Sequence, residues 1–132
     1  MCLDQHAAVA DSVQIEVTEA YKDWYLDLQK KDAAAVDRKV KMLQMMGIAL
    51  PFPHSSDIKG AKYPFRELRV NNPPIRVLYA FDPERKAVLI IGGDKTGDNR
   101  FYERLIPHAE RIWQQYLAQP HDPGRPGPTP RR

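Results

Sequence analysis

The chain has 132 residues, 42% of them hydrophobic and 28% charged, which is room for one domain around one core. No apolar run approaches the roughly 18 residues of a membrane-spanning helix, and the single cysteine, Cys2, excludes an internal disulfide and a cysteine-based zinc site. The formal charge of +3 comes from residues 54–76 (+3) and 120–132 (+2), set against −2 in residues 1–53 and a neutral 77–119, which suits a local anionic site better than a wholly basic nucleic-acid binder.

The N-terminal MCLDQHAAVADS lacks a basic region followed by an apolar core, so it does not read as a secretory signal, and a cytoplasmic protein is expected. Residues 1–13 read as an N-terminal extension and 14–119 as one domain. Residues 120–132, with five prolines and two glycines, cannot form a core and read as a disordered tail. Within the domain, QIEVT (Gln14–Thr18) reads as a first strand with Ile15 and Val17 inward, and Thr18 can cap the helix that follows. Tyr21, Trp24, Tyr25 and Leu28 recur at helical spacing, with Lys30 and Lys31 at the C-terminal end. Asp32 can cap a second helix whose Val36, Val40, Leu43 and Met42 or Met46 share a face, and Gly47 ends it. So short a join predicts a helical hairpin packed on one face of a sheet.

Ile48–Pro64, with three prolines, reads as irregular, with a tight turn around Gly60. Strands are expected at about Phe65–Val70, Ile75–Phe81 and Ala87–Gly92, the last containing the fully apolar VLII. Asn71-Asn72-Pro73-Pro74 and Asp82-Pro83-Glu84-Arg85 supply the hairpin turns, both adjacent prolines lying outside the ladder for want of an N–H. A last helix runs from near Phe101 to about Gln119, with Leu105, Ile106, Ala109, Ile112, Trp113, Tyr116 and Leu117 on its apolar face. Pro107 either kinks it or, the preferred reading, marks a helix proper that starts just before it, with FYERL as a preceding turn or short helical segment.

Arg66, Arg69, Arg76, Lys95, Arg100 and Tyr102 fall on or just beyond these strands, the combination of cations and phenol that holds and cuts a phosphodiester. Arg76 shares a strand face with Leu78 and Ala80, and its fork suits bidentate contact with phosphate. The competing reading pairs it across strands with Glu67. Arg69 falls in RELRV, with the opposite face carrying Leu68 and Val70, or with Glu67 beside it, according to twist and register. Paired glycines, Gly92-Gly93, end the last strand and deliver Lys95 to the rim. GDKTG does not have the spacing of a nucleotide-phosphate loop. The four histidines are scattered, and Asp94 and Asp98 form no calcium pattern, so no metal and no cofactor are expected.

In order and spacing, WYLDL, LPFPHSSDIKG, FRELRV, IRVLYAFDP and VLIIGGDKTGDNRFYERLIPHAERI resemble the RelE/ParE superfamily of bacterial type II toxins, and within it the HigB-like, phage-associated subgroup. The resemblance covers roughly residues 14–118. It implies an α+β fold: a small twisted antiparallel sheet of about four strands, an N-terminal helical hairpin and a C-terminal helix. It implies a ribosome-dependent mRNA endonuclease that inhibits translation. The neutralising partner would be a cognate antitoxin, commonly a helix-turn-helix protein, and DNA would be met only through the antitoxin complex. By motif, Arg76, Lys95 and Tyr102 correspond to the catalytic residues, and Lys59, Lys62, Arg66, Arg69 and Arg100 to RNA- or ribosome-binding positions. No histidine matches the one that some relatives carry in the catalytic loop, and His54 lies in a connecting segment. Related members act on gyrase and cleave no RNA, and a non-catalytic binding or regulatory protein on the same scaffold is a third reading.

The implied chemistry uses the RNA 2′-hydroxyl as nucleophile and yields a 2′,3′-cyclic phosphate. The site must remove the 2′-proton, offset phosphoryl charge and protonate the 5′ leaving oxygen. A base made from lysine or tyrosine requires a pKa depressed by neighbouring cations.

Overall fold

The computed structural model describes residues 12–119; residues 1–11 of the N-terminal extension, Cys2 among them, and the proline-rich tail 120–132 lie outside the described residues. Five strands form one sheet in the order β1-β5-β4-β3-β2, where β1 is Ile15–Val17, β2 Ser55–Asp57, β3 Arg66–Asn71, β4 Pro74–Phe81 and β5 Ala87–Asp94. The helices are α1 (Glu19–Leu26), α2 (Lys30–Met46) and α3 (Phe101–Ala118). β2–β3, β3–β4 and β4–β5 pair antiparallel, whereas β1 runs parallel to β5. The architecture is thus the α+β one expected, with a mixed sheet of five strands in place of an antiparallel one of about four.

The extra strand, β2, lies inside the segment expected to be irregular. Its HSSD sequence has no apolar alternation, because the side chain it buries is polar: Ser55 is fully enclosed and its Oγ lies 2.6 Å from the Tyr79 hydroxyl. At the opposite edge, Ile15 packs against the core while Val17 is 40% exposed, so the inward pair predicted for β1 is only half realised. An edge strand of three residues has one partner and little to cover.

The two sheet faces are buried by different helices. Tyr21 of α1 and Val36 and Leu43 of α2 pack on Leu68, Val70, Ile75, Val77, Tyr79 and Leu89. Ala109, Trp113 and Tyr116 of α3 pack on Leu78, Ala80, Val88 and Ile90, with Phe65 beside them. The VLII run is enclosed because β5 is covered on both faces. Register shifts at Leu78/Tyr79, which pair with Ile91 and Leu89, leaving Ile90 as an extra residue of a bulge. Thr18 serves both the bulge and α1: its Oγ1 donates to the Ile90 carbonyl at 2.7 Å and accepts from Tyr21 N at 3.0 Å.

Several boundaries differ from those read in the sequence. Lys30 and Lys31 open α2 instead of closing α1, with Gln29 as the cap and Asp32 in the first turn, where its charge complements the helix dipole. Of the two methionines, Met42 packs inward and Met46 faces solvent. Gly47 ends α2 at φ +57°, as a C-cap position demands. Pro74 is inside the ladder as the first residue of β4, contributing its carbonyl to Lys95 N at 2.9 Å, a role that needs no N–H. α3 runs unbroken through Pro107. Its first turn is anchored by Phe101, buried over Gly93, so the helix tolerates one missing hydrogen bond. Leu117, on the predicted apolar face, is 40% exposed.

Candidate functional site

Alternation along β3 and β4 puts Glu67, Arg69 and Arg76 on the face covered by α3. Arg69 pairs directly with Arg76, and Glu67 with Leu78. Two arginines opposite each other repel, and Glu67 offsets both. Its Oε2 accepts from Arg69 Nη1 at 3.0 Å and from Ser56 Oγ at 2.7 Å, and its Oε1 lies 3.7 Å from Arg76 Nε. The Tyr102 hydroxyl, reaching down from the first turn of α3, donates to the same Oε1 at 2.6 Å. Glu67 is 4% and Arg76 5% exposed, so one carboxylate organises a desolvated centre built from four elements, β2, β3, β4 and α3.

Arg76 does not present a free fork. Its Nη1 donates to the carbonyls of Val70 at 2.9 Å and Ile75 at 3.1 Å, closing the end of the β3–β4 hairpin. Among the described residues, Arg69 Nε and Arg76 Nε are buried nitrogens with no hydrogen-bond partner. A donor left this way in a low-dielectric setting is costly unless a ligand or water meets it.

The phenol of Tyr102 is pushed up to about 12. Burial is the largest cause, the hydrogen bond and charge of Glu67 add to it, and Arg76 acts in the opposite direction. The depressed pKa that a tyrosine base requires is therefore not found. Tyr102 keeps its proton near neutrality and acts as a donor. Lys95 Nζ stands 5.9 Å from the centroid of the Tyr102 ring, over its face, so the cation and phenol form one wall. Gly93 makes that wall possible: a Cβ there would lie 2.7 Å from Phe101 Cε1, under the turn that carries Tyr102.

The remaining cations are dispersed. Arg66 points to the opposite face, where Nε donates to Ser55 Oγ at 3.2 Å and Nη1 pairs with Asp57, so it is not part of the cluster. Arg100 is 76% exposed on its side chain and lies 3.6 Å from Glu103. Lys59 and Lys62 are exposed in the loop around Gly60, and that loop docks on the middle of α3: Lys62 N donates to Glu110 Oε2 at 2.7 Å. Glu110 is eight residues along the helix from Tyr102, about 12 Å. A separate open groove of about 450 Å³ is lined by Gly93, Asp94, Phe101, Arg104, Leu105, His108 and Arg111. His54 bonds through Nδ1 to Lys39 Nζ at 2.9 Å, outside the Glu67 cluster. Among the described residues there is no group of three or more His, Cys, Asp or Glu side chains able to hold a metal ion. No helix among them is long and apolar enough to cross a membrane.

Sequence reasoning found Arg69, Arg76, Lys95 and Tyr102 but treated Glu67 only as a rival explanation of Arg76. The available signal was the ELR triplet itself, whose Glu67 and Arg69 share a face in any strand.

A small sheet clasped between a helical pair and a single helix is a fold that solved structures share. One is a mutant of the Escherichia coli toxin RelE in the free state (TM-score 0.53, 10% identity, 71% of this chain and 95% of that one). Another is the toxin–antitoxin complex RelBE2 of Mycobacterium tuberculosis (TM-score 0.51, 16% identity, 63% and 91%). In sequence, residues 23–114 match the family described as phage derived protein Gp49-like (DUF891). The chain belongs to this Gp49-like family. Its relatives include two candidate toxins of M. tuberculosis, HigB3 and HigB2. HigB3 is 35% identical over 76% of this chain and 90% of its own length; HigB2 is 28% identical over 79% and 54%.

Proposed function

We propose that this chain is the toxin of a type II toxin–antitoxin pair, acting in the cytoplasm as a ribosome-dependent mRNA endonuclease that inhibits translation. The observation that carries the reading is the Tyr102–Glu67–Arg76 centre with Lys95 over the phenol. The family membership and the names of the mycobacterial relatives support it. The relative complex RelBE2 supports a cognate antitoxin as partner, of helix-turn-helix type in this proposal, with DNA engaged only through that complex.

In this mechanism the 2′-hydroxyl releases its proton to solvent water and its oxygen attacks the adjacent phosphorus; the P–O5′ bond breaks, the leaving oxygen takes the Tyr102 proton, which solvent then restores, and a 2′,3′-cyclic phosphate and a 5′-hydroxyl are left. Lys95 and Arg69 flank the phosphate and offset its growing charge. Arg76 acts from behind as a fixed positive charge, because its Nη1 is committed to carbonyls. Tyr102, held as a neutral phenol, turns its one O–H from Glu67 to the leaving oxygen as that oxygen departs. Glu67 positions the phenol and both guanidiniums. The ribosome aligns the codon, and that alignment contributes several kcal/mol that the protein alone does not supply, so free RNA is cut slowly. Lys59, Lys62, Arg66 and Arg100, outside the cluster, serve ribosome binding in this reading.

Inducing the chain in a bacterium and mapping transcript 5′-ends tests the proposal: new ends inside translated codons are expected. Intact transcripts with arrested replication would sink it in favour of a gyrase-directed toxin. Harmless expression, with wild type and Lys95→Ala alike, would favour a binding protein.

A further inference from the structure

Phe52 sits between two prolines in LPFPH, a setting that cannot join a strand ladder and holds its ring away from the core. The ring is 67% exposed, while the two neighbouring faces of the sheet are filled by other side chains. It has one specific neighbour: Arg69 Cζ lies 5.2 Å from its centroid. Arg69 is also the residue whose Nη1 bonds to Glu67, the carboxylate that holds Tyr102. An exposed aromatic ring is thus joined to the buried centre through a single guanidinium, itself 24% exposed on its side chain.

Resting on the endonuclease reading, we propose that Phe52 and Arg69 form a stacking platform for one unpaired nucleobase of the RNA strand that enters the site. Every base has a π-face, and an aromatic ring beside a guanidinium is the surface on which single-stranded RNA is held. Charge favours this occupant over an apolar protein segment. Arg69, the cation against the ring, is partly exposed on its side chain, and the segment 54–76 that contains it carries +3. Met45 and Ile48, also exposed on the preceding segment, have no cation given to them in this way. The platform has no base-edge hydrogen bonds of its own, so it fixes where the strand lies and is tolerant of which base it holds.

The test uses a short single-stranded RNA with 2-aminopurine at successive positions, titrated at low salt against wild type, Phe52→Ala and Phe52→Tyr. Stacking quenches 2-aminopurine. Quenching at one position is expected with wild type and Phe52→Tyr, with affinity weakened about tenfold in Phe52→Ala. On ribosomes the Phe52→Ala change should appear in KM more than in kcat. Equal binding and quenching by wild type and Phe52→Ala would overturn the platform. So would a Phe52→Ala protein that binds and cleaves RNA normally yet escapes its antitoxin, because the ring would then serve a protein partner. Phe52-dependent quenching by a wild type that cuts no mRNA would leave the platform standing and remove the endonuclease reading alone.

Discussion

Replacing Arg76 by alanine removes both a charge and a structural tie, and the geometry sets how much of each. Its Nη1 donates to Val70 O at 2.9 Å and Ile75 O at 3.1 Å, and its Nε faces Glu67 Oε1 at 3.7 Å. Hydrogen bonds from a charged donor are worth about 1.5–3 kcal/mol each. Glu67 stays buried after the change but keeps Arg69, Ser56 and Tyr102. The cost therefore falls at the low end of that for a broken buried pair, about 3 kcal/mol. In a folded body of 108 residues (12 through 119), this lowers the melting temperature by roughly 12 °C. Because Arg76 is buried, the fold itself registers its loss.

Lys95→Ala is the control. Lys95 is half-buried at the rim, so its loss should change stability by less than about 0.5 kcal/mol while slowing cleavage about 100-fold. Single-turnover cleavage on programmed ribosomes, run well below both melting transitions, separates the two effects. Arg76→Lys should recover only part of the activity, since an ammonium that reaches the Val70 and Ile75 carbonyls has no second nitrogen to face Glu67. An Arg76→Ala protein that melts within about 2 °C of wild type would refute the tie. A fully active Lys95→Ala protein would remove that residue from the chemistry.

Tyr102 has a raised pKa in the folded protein, so the stability it contributes is complete below pH 10 and is lost as pH climbs toward about 12. Wild type should lose melting temperature relative to Tyr102→Phe across that window; a constant gap would mean that burial and Glu67 do not raise the phenol's pKa. Asp82 titrates the other way. Burial alone would raise its pKa, but hydrogen bonds from Lys86 N, the Tyr116 hydroxyl and the Lys86 ammonium together hold it below the ordinary carboxylate range. Its contribution is present above the unfolded pKa and disappears as pH falls through the folded one, so acid melts should affect Asp82→Asn less than wild type, and identical acid profiles would refute this. In Gly93→Ala the new methyl meets Phe101 at 2.7 Å and tilts the turn that carries Tyr102, so cleavage should fall about tenfold. In Gly92→Ala the methyl runs into the Trp24 ring, so the cost of about 1–3 kcal/mol should appear in stability. Equal activity loss in both glycine variants would show that Gly93 has no special link to Tyr102.

The sequence by itself determined the elements that bury apolar side chains with a regular period. The Tyr21–Trp24–Tyr25–Leu28 stripe, the Val36–Val40–Leu43 stripe, the three central strands and Gly47 as a helix stop were all legible, since periodicity and turn chemistry are local. Three catalytic candidates were legible too, as cations and a phenol on or just past those strands. β2 was not, because Ser55 is buried by a hydroxyl pairing with Tyr79 from a strand 24 residues away, which no hydropathy pattern registers. The continuity of α3 through Pro107 depended on Phe101 finding a glycine floor on β5. The site was decided the same way. Arg66, Arg69 and Arg76 look alike in the sequence, but strand alternation sends Arg66 to the other face. Only the packing of α3 brings the Tyr102 hydroxyl within 2.6 Å of Glu67, which lies 35 residues earlier in the chain. Which charges share a desolvated centre is a property of register and helix placement, and both are set by long-range burial that the local sequence does not contain.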